Sequence, residues 1–214
     1  TYQSGVPSAR ATMAQLRRLD PATDEGVLEV MSIAFADPPE EILGRGDSAS
    51  REEIAVASAL VLYSVHQQSK SQPMHVPGVG LGAAVRRLAN PGDADSREKP
   101  VMRRFQSLNT ATDIKEVLYH LRGLVQQFRA NDVPLDYSRL TRDLLRLQQP
   151  RSVTSVRLGW ALKPWSEFED RWGAGQQGNA GSEKRKSGLA ITPGKFGVPL
   201  TAACFNRACA LVLV

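Results

Sequence analysis

The sequence predicts an all-α protein, an N-terminal helical unit followed by a C-terminal four-helix bundle. Two observations carry this expectation and a third excludes the alternative. Apolar residues recur at i, i+3, i+4 and i+7, most clearly in Ile114, Val117, Leu118, Leu121, Leu124, Val125 and Phe128. Capping residues and prolines punctuate these runs. No alternating run of β-branched residues is bracketed by hairpin turns, so residues 8–172 are expected to be helical with at most trivial strand content.

Taken in order, Ser8 is placed to cap a first helix whose face carries Met13, Leu16 and Leu19. Asp20-Pro21 stops it, because proline cannot supply the helical N–H and restricts the residue before it. Residues 27–36 form a short apolar helix closed by Asp37-Pro38-Pro39. Ser50, with Glu53 three residues on, reads as a capping box, and Ile54, Ala57, Leu60, Val61 and Val65 follow at helical spacing. Residues 67–79 are a polar loop with Pro73, Pro77 and Gly78, and helix resumes over 81–88 until Asn90-Pro91-Gly92.

Residues 91–98 read as a hinge, dividing a unit at 8–90 from a bundle at 98–172. Beyond it, Val101, Phe105 and Leu108 make one stripe, and Thr112 caps the long helix that Asn131-Asp132-Val133-Pro134 ends. Residues 135–147 and 153–172 supply two more helices, the last interrupted at Pro164. From 173 the chain turns to Gly, Ser, Gln and charge, with too little apolar surface to fold, and reads as a flexible linker. The apolar, periodless tail after it remains unassigned. It is read as a strand-like addition, or as a cloning or reading-frame remnant, in preference to a partner-binding peptide.

Charge is unevenly distributed. The chain carries +5 overall, yet between Arg97 and Lys163 thirteen Lys or Arg face six Asp or Glu, about +7. Residues 20–53 hold ten acids and two arginines, about −8. One surface therefore attracts a polyanion, and another repels it or meets a basic protein. The only cysteines are Cys204 and Cys209, which fits a reducing cytoplasm. No apolar run of membrane-spanning length and no signal-peptide pattern is present, and Thr1 is not an initiator methionine, so the terminus is given no function.

Catalytic and cofactor chemistry finds little support. Gly78, Gly80 and Gly82 follow no strand and precede no Lys-Ser/Thr pair, so a nucleotide loop is disfavoured, although a glycine-rich helix start can meet a phosphate or let another subunit's backbone approach closely. His66, His75 and His120 are too scattered for a helical metal pair, and His120 reads as a partly buried histidine. Asp113, Asp132, Asp136 and Asp143 are dispersed, with Asp136 where a cap is needed. Trp160, Trp165 and Trp172 are better core residues than a base-stacking platform. The expectation is no enzyme, no cofactor and no metal.

Several separated segments together resemble a known family. They are ARATMAQLRR (9–18), ALVLYSVHQQSKSQPMHVPGVGLGAAVRRL (59–88), MRRFQSL (102–108), HLRGLV (120–125), VPLDYSRLTRDLLRLQQP (133–150) and VRLGW (156–160). In this order they resemble CasB, the small subunit of the type I-E CRISPR interference complex, Cascade. The likeness spans residues 9–172 and departs from the family at 161–165 and after 173. It implies two helical units and a non-catalytic architectural role in the cytoplasm. Two copies of the subunit would lie beside the backbone and large subunits, guide RNA and target DNA, helping to hold the displaced strand, with no membrane and no small-molecule substrate.

The resemblance carries nucleic-acid contact onto Arg17, Arg18, Lys70, Arg103, Arg104, Arg122 and Arg142. Arg86, Arg87, Lys115, Arg139 and Arg146 join them on this sequence alone. Arginine suits the task because its planar fork stays charged and fits phosphate oxygens without reading a base edge. Arg139, Arg142 and Arg146 share one helix face, as do Lys115 and Arg122, so a bundle could present parallel rows of charge. One arginine of the 17–18 pair is expected to pack against Asp20 or Asp24. The alternative reading is a helical adaptor whose basic face docks an acidic protein.

Overall fold

Eight helices account for the regular structure of the described residues, 7–35, 38, 40, 42–89 and 100–162, in a computed structural model. They are α1 (Pro7–Leu16), α2 (Asp24–Ala34), α3 (Arg51–His66), α4 (Leu81–Ala89), α5 (Pro100–Thr110), α6 (Ile114–Ala130), α7 (Tyr137–Leu147) and α8 (Val153–Leu162). The only β-type pairing among these residues is an isolated parallel bridge between His75 and Leu135, which pins the 67–79 loop to the entry of α7. The expected hinge, the Pro164 interruption, the linker and the tail lie outside the described residues.

The centre of the fold is α3. The sequence reading assigned it a single apolar face, but every residue from Ala55 to His66 is buried, because α1, α2, α6 and α7 cover it on all sides. Ala55, Ala57, Ser58 and Ala59 keep its waist thin enough for that enclosure. The four helices after residue 99 pair as α5 on α6 and α7 on α8. Both pairs reach back to helices from before it, with α6 and α7 on α3, and α5 and α8 on α4. One continuous apolar core therefore runs through helices from either side of residues 90–99.

The caps show where local chemistry was read correctly and where it was not. Ser50 and Glu53 form the expected capping box: the Ser50 hydroxyl accepts the Glu53 amide at 3.0 Å, and the Glu53 carboxylate accepts the Ser50 amide at 2.7 Å. Asp136 caps α7 as expected. The cap of α6 is Asp113 rather than Thr112. Its carboxylate accepts the Glu116 amide, while the Thr112 amide donates to the Glu116 side chain. Ser8 lies inside α1, which begins at Pro7, where a missing N–H costs nothing.

The α4–α8 crossing depends on Gly82. A Cβ there would overlap the Trp160 carbonyl, so the close approach allowed by the glycine-rich segment is to this chain's own α8. Gly78, in the left-handed region at φ 95°, donates its amide to Asp136 at 2.8 Å, so that amide serves the fold rather than a phosphate.

Beneath α7 lies a histidine that sequence reading undervalued. His66 is fully buried, while His120 is partly buried as expected; the His66 Nδ1 is 3.0 Å from the Tyr137 hydroxyl. Burial lowers its pKa from 6.5 to about 3, with Lys70 and Arg129 pushing the same way and the Val133 carbonyl opposing them. Between those values the unfolded chain binds a proton that the native chain refuses, so stability falls as pH falls. The expected loss from this group is about 2 kcal/mol between pH 6.5 and 5. Burial lowers the His75 pKa too and adds a loss of the same sign. Denaturant titrations from pH 5 to 7 should show a shallower acid slope for His66→Gln than for the native chain; identical slopes would assign the acid sensitivity elsewhere.

Candidate nucleic-acid interface

The cations proposed from the sequence do not form one row. They separate into groups, because α6 and α7 pack against α3 rather than side by side. The first group gathers where the end of α1 meets the middle of α6. Arg17 donates to the Ser64 carbonyl at 3.3 Å, and its own carbonyl accepts from Arg122 at 2.9 Å. The Arg122 side chain thus fastens α6 to the chain leaving α1, and the Arg17 side chain fastens that chain to the end of α3. With Arg18, Lys115 and Tyr119 they line a depression of about 340 Å³.

Among the described residues the single acid lining that depression is Asp20, whose carboxylate accepts the Ala22 amide at 3.0 Å. Asp24 instead accepts the Ala49 amide at 2.9 Å. Arg104 reaches the same surface from α5. It crosses α6 at Gly123, where its guanidinium occupies the space a Cβ would take, and lies 6.0 Å from the Tyr119 ring centroid. Arg103 is exposed on the outer side of α5.

A second group lies on α7 around Asp143. Trp160 donates its indole N–H to that carboxylate at 2.7 Å. Burial raises the Asp143 pKa, with the Trp160 hydrogen bond, Arg139, Arg146 and Arg142 pulling it back. Arg139 lies over Gly80, Arg142 donates to the Ser138 carbonyl at 3.4 Å, and Arg146 reaches the Ser155 hydroxyl at 2.7 Å. Each of these arginines thus has an internal contact besides any it makes outside.

The remaining candidates stand apart. Lys70 makes a 2.6 Å ion pair with Asp132, its side chain only 21% exposed. Arg87 is exposed on α4 and has an internal contact. Arg86 donates to the Trp160 and Ala161 carbonyls at 3.4 and 3.0 Å, satisfying backbone acceptors late in α8, and burial lowers its pKa. Its guanidinium is therefore engaged in docking α8. Arg86→Ala should lower the melting temperature by several degrees, as losing a charged hydrogen bond of about 1.5–3 kcal/mol implies, while leaving polyanion binding unchanged.

Sequence reasoning missed three residues. Arg157 donates to the Ala111 carbonyl at the α5–α6 turn, and Arg129 reaches Gln68 at 2.6 Å. The third is Tyr119, 68% exposed amid the cations. Its signal was present in the spacing of Lys115, Tyr119 and Arg122 at i, i+4 and i+7, opposite the apolar stripe.

Comparison with known proteins fixes the family. The profile of CRISPR-associated protein Cse2 matches residues 12–163, which contain all the described helices except the start of α1. The chain belongs to the Cse2 family. Among solved structures it is similar to CasB from Thermobifida fusca, with 32% identity and a TM-score of 0.57 over 74% of this chain and 86% of that one. No curated protein sequence matches it. Cse2 and CasB designate the structural subunit of type I-E Cascade, so this chain is a component of that complex. The all-α reading agrees with the relative's fold. No helix among the described residues is long and apolar enough to cross a membrane.

Proposed function

We propose that this Cse2 chain is a non-catalytic cytoplasmic subunit that binds nucleic-acid backbone without reading sequence, and that it stabilises the opened target DNA in Cascade. A second copy of the chain, the backbone and large subunits, guide RNA and target DNA are its neighbours in this reading. The observation that supports it best is the depression between α1 and α6, where Arg17, Arg18, Lys115 and Arg122 face a single acid. In guide-directed recognition base pairing reads the sequence, and protein groups hold backbones by charge and shape.

Arg18 and Lys115 are exposed, so they can exchange water for phosphate oxygens at small cost, while the internal hydrogen bonds of Arg17 and Arg122 fix the ground they stand on. The separate group on α7 and the arginines of α5 are proposed as further backbone contacts, with Arg103, Arg139, Arg142 and Arg146 among them. Lys70 and Arg87 are weaker members, since each has an internal partner. The adaptor reading keeps its place as the competing outcome of one experiment. Salt-titrated binding to single-stranded DNA, duplex and RNA should give measurable affinity that falls steeply with salt and barely changes with base sequence. Absence of binding to all three at low salt would favour the adaptor.

A further inference from the structure

The backbone-binding reading leaves one residue of the depression unused. A phosphate track needs cations, and Tyr119 adds none; its ring stays 68% exposed on the polar face of α6, where a charged or small side chain would be better solvated. The apolar stripe of α6 is supplied by Val117, Leu118, Leu121 and their followers, so the core does not require it. Cations flank the ring, and the His120 ring meets it edge-on, 5.2 Å between centroids. Lys115 lies one turn before it and Arg122 one turn after, about 5–6 Å apart along the helix face. The Arg104 guanidinium, which reaches it by passing over Gly123, lies 6.0 Å from its centroid.

Cations interleaved with an exposed aromatic are the arrangement that single-stranded nucleic acid requires, with phosphates on the charges and an unstacked base against the ring. A duplex keeps its bases stacked on one another and offers such a ring nothing. We propose that Tyr119 is a base-stacking platform that makes this basic depression a site for single-stranded nucleic acid in preference to duplex. The inference rests on the backbone-binding reading above and adds to it a contact that charge alone does not provide. The stacking is tolerant of sequence, because every base has a π-face.

The test uses the full chain and three probes of equal length: a single-stranded DNA, the same strand with abasic sites throughout, and a duplex. Fluorescence anisotropy is read for the native chain, Tyr119→Ala and Tyr119→Phe. The native chain is expected to prefer the intact single strand over the abasic one. Tyr119→Ala should weaken binding to the intact strand by about 5- to 150-fold. It should leave abasic-strand and duplex affinity, and the salt slope, unchanged, and Tyr119→Phe should keep native affinity. Equal binding of intact and abasic strands by the native chain, or equal weakening of all probes by Tyr119→Ala, overturns the stacking inference and leaves the backbone reading standing. If the native chain binds none of the probes in a salt-dependent way, both fall.

Discussion

Replacing Trp160 with alanine should cost about 3–5 kcal/mol of unfolding free energy, the range for removing a large buried aromatic. Trp160 is 2% exposed and belongs to the continuous core. Two further losses accompany the cavity. Asp143, held in a buried setting that raises its pKa, forfeits the indole donor at 2.7 Å, and the α4–α8 contact at Gly82 loses the side chain behind it. Trp160→Phe narrows the loss: it keeps much of the volume while removing the hydrogen bond, so its cost should be smaller, about 1–3 kcal/mol. Urea titrations of the two variants would measure both; a loss under about 1 kcal/mol for the alanine variant would mean that α8 is peripheral to stability.

The second large effect concerns the complex. Changing Arg18, Arg104 and Lys115 together to alanine should weaken retention of opened target DNA far more than loading of guide RNA, because Arg18 and Lys115 are exposed at the α1–α6 depression and half-buried Arg104 reaches its Tyr119 rim. No side chain of the three makes a hydrogen bond or ion pair with another described residue, so the melting temperature should move by little. Arg17 and Arg122 are the contrasting pair. Substituting Arg122 breaks the fastening of α6 to the end of α1, substituting Arg17 breaks its bond to the end of α3, and both should lower the melting temperature as well. Permanganate footprinting of the displaced strand, with guide occupancy measured in parallel, reads the two effects separately. Equal loss of guide and target would show that the triple variant disturbs assembly instead.

The helices were largely legible in the sequence because their signals are local. The stripe from Val117 to Phe128, the Ser50–Glu53 box and the Asp136 cap each depend on residues within a few positions of one another. The misreadings at Thr112 and Ser8 are shifts of one or two residues, where neighbouring side chains compete for the same orphan amides. What could not be read locally was enclosure. Nothing within 51–66 says that four other helices will cover α3, and a periodic face therefore stood in for a helix buried on all sides.

The candidate site was legible as a set of residue types and not as an arrangement. Arg139, Arg142 and Arg146 do share a face of α7, and Lys115 and Arg122 a face of α6, as their spacing dictates. Whether two faces join depends on which helix lies between them, and α3 keeps these apart. Arg86 looked like its neighbours in sequence and is distinguished only by the α8 carbonyls that α4 meets in the fold. Tyr119 is set apart from Trp160, the one tryptophan among the described residues, which is buried in the core as its large apolar surface implies.

The central claim, that the surface around the α1–α6 depression holds phosphates, is tested most directly by the salt dependence of single-stranded DNA binding for the native chain and for the Arg18→Ala, Arg104→Ala, Lys115→Ala triple variant. The slope of log affinity against log salt should flatten by about 0.7 for each phosphate contact removed, or about 2 for all three, with weakening that is the same for every base sequence and a melting temperature that stays put. A triple variant that folds normally and binds with the native affinity and the native slope would contradict the account.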